Sequence, residues 1–243
     1  MNRQTYQISE SLDLINRIAS MQPAEKAAHL HVRLVDIMCM EEREDAILKD
    51  VGNNFALKLC FRLDREDGCL GMIPLTRTLA RVLRFPLGGL ADLALAATES
   101  AAPATFHSIQ SFILDSQKGL FPGSPLLSEV AREDVNSFDI YILSSSLRTY
   151  GASALYYPGV TEKISWLLGG SYYVLPSSVH EVLIVPDPIP AAGLDGESLS
   201  EIVRLVNEQE LEPSDLLSYR VLYYDSEKKM LCETAPAGVC ENV

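Results

Sequence analysis

Between Asn54 and Leu63 the chain alternates strictly, with Phe55, Leu57, Leu59, Phe61 and Leu63 on one side and Ala56, Lys58, Cys60 and Arg62 on the other. A period of two is that of a half-buried strand. Asp64-Arg-Glu-Asp-Gly68 supplies a turn before a second short strand, Cys69 to Ile73, so this stretch predicts a hairpin. Upstream the period changes. From Ser9 to Lys49, Leu12, Ile15, Ile18, Leu30, Leu34, Ile37 and Met38 recur at three- and four-residue spacing, which predicts two amphipathic helices broken near Gln22-Pro23. Pro23 suits the first turn of the second helix and Gly52 its C-terminal cap. The run Glu41-Glu42-Arg43-Glu44-Asp45 is then a solvated face.

Downstream, two helices are expected at Leu75 to Arg84 and Leu87 to Thr98, separated by Phe85-Pro86 because the residue before proline leaves the helical region. A short helix is expected around Phe106 to Leu114, followed by the loop Gly119 to Pro125. Phe138 to Leu143 and Ala152 to Tyr156 read as strands, and Val160 to Leu168 as a helix closed by Gly169-Gly170. Ser171 to Leu175 and Ser178 to Val185 read as strands flanking Pro176. Pro186-Asp-Pro-Ile-Pro190, with Gly193 and Gly196, is linker-like. Ser198 and Glu201 have capping-box spacing ahead of a helix to Asn207, and Pro213-Ser-Asp215 marks a turn or a helix start. Tyr219 to Tyr224 and Met230 to Thr234 form a closing hairpin around Asp225 to Lys229. The pattern predicts an α+β fold, N-terminal helices followed by a mixed, mainly antiparallel sheet with packed helices. Residues 1–52 read as a helical segment and 53–243 as an α+β domain, with a candidate linker at 186–197.

Composition adds constraints. With 243 residues, 47% hydrophobic and 22% charged, the chain can bury a sizeable core and is not a disordered one. Twenty basic residues against 33 acidic ones give a net charge of −13, which disfavours direct nucleic-acid binding. The acid is concentrated late, since residues 181–243 hold 13 acidic and 4 basic residues. Cys39, Cys60, Cys69, Cys232 and Cys240 form no C-x-x-C pair, which fits reduced thiols in a cytoplasmic protein and argues against zinc. No apolar run approaches the roughly 18 residues of a spanning helix, and the polar start Met1 to Tyr6 lacks a secretory signature.

The segment Tyr172-Tyr-Val-Leu-Pro-Ser-Ser-Val-His-Glu-Val-Leu-Ile184, with Asp139-Ile-Tyr-Ile-Leu143, Tyr150-Gly-Ala152 and Leu205-Val-Asn207, resembles an uncharacterised protein family of Firmicutes. The resemblance covers residues 138–225, and the Leu-Pro-Ser-Ser-x-His-Glu run is its most specific part. Members of that family occur in gut Clostridia, often in or near mobile elements. The resemblance implies a fold and a bacterial origin, and carries over no catalytic residue.

Candidate chemistry is sparse. Ser177 or Ser178 as nucleophile, His180 as base and Glu181 as orienting acid would make a hydrolase. On a strand, however, Ser178 and His180 share a face about 7 Å apart and Glu181 points away. There is no nucleophile elbow around either serine. The competing reading is that the serines bond nearby backbone and His180 and Glu181 satisfy polar neighbours. His29 and His31 diverge on a helix and read as surface histidines, and His107 has no ligand at metal spacing, so neither metal nor cofactor is expected. Arg77, Arg81 and Arg84 fall at i, i+4 and i+7, giving a basic helix face while Leu79, Val82 and Leu83 turn inward. That face would be solvated or paired with carboxylates, the chain's own acidic C-terminal segment being available, or it would bind phosphate or an acidic partner surface. The pairs Tyr156-Tyr157, Tyr172-Tyr173 and Tyr223-Tyr224 place one ring in the core and one outside if they lie on strands. No phosphate-binding glycine motif occurs.

These residues favour a non-enzymatic acidic protein that binds a protein partner, such as a mobile-element accessory or a host-defence inhibitor. Its interaction candidates are Arg77, Arg81 and Arg84 together with Glu208, Glu210, Glu212 and Asp215. The alternative is a small hydrolase using Ser178, His180 and Glu181.

Overall fold

The computed structural model describes residues 16, 18–40, 45–64, 70–111, 124–176, 178–188, 198–199, 201, 203–204 and 212–234. In chain order its elements are α1 (Pro23–Ala28), β1 (Leu30–Asp36), β2 (Leu48–Gly52), β3 (Phe55–Asp64), β4 (Leu70–Pro74), α2 (Arg77–Val82), α3 (Leu90–Ala101), β5 (Ala104–Ser108), β6 (Tyr141–Ser145), α4 (Val160–Leu168), β7 (Tyr172–Leu175), β8 (Val182–Pro186), β9 (Leu222–Asp225) and β10 (Met230–Glu233), with 3-10 turns at Arg132–Asp134 and Gly151–Tyr156. The fold is α+β, as expected. Contacts divide the chain into two compact units, the first comprising residues 1–32, 42–49 and 58–101, the second 33–41, 50–57 and 102–243. In one sheet β3 lies between β1 and β2 and also pairs with β4, and the division between units falls within β1, β2 and β3.

In the first unit, the β3–β4 hairpin pairs Phe61 with Ile73 and Leu63 with Gly71 in antiparallel register. Leu59 and Phe61 are fully buried, each contributing about 1.5–3 kcal/mol relative to exposure. On α3, Leu90, Ala94 and Thr98 recur every four residues and are buried. Thr98 Oγ1 joins that helix to β1 by accepting from Val32 N at 2.9 Å while donating to Ala94 O at 2.7 Å. Thr76 caps α2 by accepting from Leu79 N at 3.0 Å.

The second unit is built on an antiparallel sheet of order β10-β9-β7-β8-β6-β5. Register places Tyr172 opposite Tyr224 and Tyr173 opposite Tyr223. Tyr172 and Tyr224 stack in the core with centroids 4.9 Å apart, whereas Tyr173 and Tyr223 are half-buried, so each of these pairs splits as its period requires. On the face of Tyr173, Leu175, Val185 and Val221 pack with Leu199 and Val203. Ser198, Leu199, Glu201, Val203 and Arg204 are helical, with Ser198 already inside the helix rather than ahead of it.

Several expectations need correction. Pro23 does begin a helix, but that helix ends at Ala28, and the stretch expected to continue it holds strands β1 and β2. β1 is buried on both faces, so its apolar residues lose the alternation that would have marked it, and Leu30, Leu34 and Ile37 mimic a helical period. Gly52 turns the β2–β3 hairpin instead of capping a helix, with Gly52, Asn53 and Asn54 all at positive φ. Phe106 to Ser108 belong to strand β5, residues 109–111 are helical as expected and 112–114 lie outside the described residues, and Ala152 to Tyr156 belong to a 3-10 turn. Ser178 makes only an isolated bridge to Leu216, and Val179 and His180 form a bend ahead of β8. Val82 is 56% exposed rather than inward. The remainder of the first expected helix, Glu41 to Glu44, the turn at 65–68, the loop at 119–123, the linker at 189–197 and residues 205–207 lie outside the described residues.

Candidate functional site

The connection between β7 and β8 carries the Ser-Ser-x-His-Glu run, and the side chains that surround it all belong to the second unit. Ser178 is 3% exposed, and its Oγ accepts from His180 N at 3.0 Å, a local side-chain-to-backbone turn. The His180 ring is engaged at both nitrogens. Nδ1 accepts from Tyr150 N at 3.2 Å, which leaves the proton of the neutral ring on Nε2, 3.4 Å from Asp215 Oδ1. The ring also stacks on Tyr150, whose other neighbour is the Arg33 guanidinium 5.2 Å from the ring centroid. Backbone completes the knot, since His180 O accepts from Ser144 Oγ at 2.8 Å and Val179 N donates to Asp215 O at 2.8 Å. The chain thus brings Ser178, His180 and Asp215 together, with the serine hydroxyl on backbone and the ring on Tyr150 and Asp215. Glu181 is half-buried beside them, and Ser177 lies outside the described residues. Chemically, this arrangement fixes three loops, and the Ser178 hydroxyl meets the His180 backbone N–H rather than its ring.

A second polar cluster has no local sequence signal. Asp36, at the end of β1, accepts from Ser218 Oγ at 2.7 Å and from Met38 N at 2.8 Å, and forms an ion pair with Arg220. Ser218 is fully buried and Asp36 is 4% exposed. Arg220 also lies over Phe55 at 5.2 Å and 3.7 Å from Glu233. Burial, then the Asp36 carboxylate, pushes the neighbouring Cys39 thiol above its ordinary pKa, away from the reactive thiolate. The carboxylate is therefore fully satisfied, and the cluster is one of buried pairing.

Trp166, the single tryptophan of the chain, is 51% exposed on α4 while Val160, Ile164 and Leu167 of that helix are buried. Lys163 Nζ lies 4.5 Å and Arg132 Cζ 5.8 Å from its ring centroid, a cation–π arrangement from two sides of the sequence. Phe138 and Ile140, in the turn before β6, are 75% and 40% exposed.

Of the expected interaction residues, Arg77 and Arg81 are exposed on α2, but Arg84 lies beyond its end at φ 62°, so the three do not make one helical stripe. The start of α2 takes its acid from Asp45, whose carboxylate accepts from Thr78 N at 3.1 Å. Glu212 is exposed, Asp215 is half-buried on His180, and Glu208 and Glu210 lie outside the described residues. His31 is not a surface residue. It is 2% exposed on β1, neither ring nitrogen has a hydrogen-bond partner among the described residues, and burial followed by the charge of Arg62 lowers its pKa to about 4. No three His, Cys, Asp or Glu side chains stand together to hold a metal among the described residues. Cys39 and Cys60 are thiols, but Cys232 is disulfide-bonded, which corrects the expectation of reduced thiols throughout. Among the described residues no helix is long and apolar enough to cross a membrane.

No curated protein and no solved structure matches the chain. A family model does match, over residues 6–226, and so extends well upstream of the Tyr172 to Ile184 segment that carries the sequence resemblance. The chain belongs to the family of unknown function DUF5688.

Proposed function

We propose that the protein acts without catalysis, by binding a protein partner through the surface around Trp166. The observation that carries this reading is a half-exposed indole framed by Arg132 and Lys163. Tryptophan and arginine are the residues most enriched at the energetic centres of interfaces, and two cations beside the ring suit an acidic patch on the partner. The hydrolase alternative draws no support from the Ser178 hydroxyl, which is buried and bonded to backbone. A mobile-element accessory or an inhibitor of a host-defence protein is the narrower form of the proposal, consistent with a net charge of −13.

Affinity capture from a nuclease-treated bacterial lysate tests it. The expected result is a stoichiometric protein held by the native chain and lost with Trp166→Ala and with Arg132→Glu, both at exposed positions. A partner retained equally by both variants, or a turnover abolished by His180→Ala in a folded protein, overturns the reading. A cytoplasmic location is the accompanying proposal, and the Cys232 disulfide weighs against it. Fractionation of the host's cells decides, recovery of the protein with cytoplasmic markers supporting the proposal and recovery outside the cytoplasm overturning it.

A further inference from the structure

Within the first unit, Pro23, Val82, Phe85 and Leu93 line a cleft of about 590 Å³. Its apolar lining is left open, with Val82 56% and Leu93 44% exposed. Lys26 and Arg84 line the same cleft. Lys26 is only 9% exposed, its Nζ donates to Leu83 O at 3.4 Å, and no carboxylate pairs with it among the described residues. An ammonium has three donors, and burying its charge against one long bond to a carbonyl is unfavourable without an anion. Arg84 is exposed just past the end of α2 and is likewise without an acidic partner among the described residues.

An apolar cleft with two cations, one of them buried and neither neutralised among the described residues, specifies a ligand with an apolar body and an anionic end. We propose that this cleft binds a small amphiphilic carboxylate, its chain along Val82, Phe85 and Leu93 and its carboxylate on Lys26, with Arg84 as a second cation. The volume falls within the roughly 300–1,000 Å³ of small-molecule sites. The proposal is independent of the Trp166 reading, which concerns the second unit.

Calorimetric titration of the full chain with sodium decanoate, below its micellar concentration and at neutral pH, provides the test. Saturable binding is expected, at least about tenfold tighter than for decan-1-ol, which has the same chain without the charge. Lys26→Met should erase that preference while leaving the melting temperature equal or higher, because methionine fills the volume without a buried charge. Lys26→Arg should restore it. Leu93→Asp, at an exposed helical position, should abolish binding of both compounds. Absence of saturable decanoate binding, equal affinity for the alcohol, or an unchanged decanoate affinity in Lys26→Met would each overturn the assignment.

Discussion

At Gly151 a Cβ would stand 2.6 Å from His180 O, 2.6 Å from Ser145 N and closer still to Ser144 Oγ. Two of those atoms are backbone, so neither can rotate away, and the glycine is required by close approach of chains. Gly151→Ala should therefore destabilise the protein by roughly 1–3 kcal/mol as overpacking. A lowered urea midpoint checks this, and an unchanged midpoint would show that the β6 end and the His180 bend can separate cheaply. His180 belongs to the same knot. Replacing it by Ala removes the acceptor for Tyr150 N and the partner of Asp215, and should lower stability by about 1–2 kcal/mol, since neighbouring water can satisfy part of what is lost. Thermal melts of the variant, run beside any activity assay, separate that structural loss from a catalytic one.

Elements are joined by pairs far apart in sequence. Asp36 and Ser218 are 182 positions apart, and Arg220 lies two residues further on, so β1 is tied to the segment leading into β9 through one buried carboxylate. Removing one partner strands the other. Asp36→Ala should cost about 3–5 kcal/mol, and Arg220→Met somewhat less because water reaches that side chain. In the double variant the two losses should sum to more than the measured total, with a coupling of roughly 1–3 kcal/mol. Simple additivity in denaturation would mean the pair contributes nothing of its own. Such distant pairing also marks where sequence reading stops. The β3–β4 and β9–β10 hairpins and α4 with its Gly169 cap were legible, because alternation, turn residues and a left-handed glycine are local signals. β1 is not, since burial of both faces removes its alternation, although the residue types Gly52-Asn53-Asn54, which take positive φ readily, are a local hairpin signal. The proximity of Ser178 to His180 was readable, whereas Asp215 on His180 and Asp36 on Arg220 depend on tertiary folding.

For the molecule as a whole, buried titratable groups bound the pH range of stability from both sides. His31 has a pKa of about 4 when folded against 6.5 as the ordinary value, so below pH 6.5 the unfolded chain takes up a proton that the folded one resists. Stability is then full above pH 6.5 and falls as pH drops toward 4, by about 3 kcal/mol for this single group. Phenols act in the opposite sense. Burial raises Tyr172 well above 10 and Tyr223 to about 12, so the folded chain retains protons that the unfolded one releases, and stability declines as pH rises past 10. The melting temperature should trace a dome between these limits. His31→Leu should flatten its acid side and raise the midpoint at neutral pH, because two buried ring nitrogens without hydrogen bonds among the described residues are replaced by hydrocarbon. Tyr172→Phe should soften the alkaline side and leave the acid side as it was. Calorimetry across the range distinguishes these outcomes. An acid limb between pH 6.5 and 4 that His31→Leu leaves unaltered would overturn the assignment, because carboxylates with lowered pKa values such as Asp45 and Asp225 keep their contribution above about pH 4 and lose it only below.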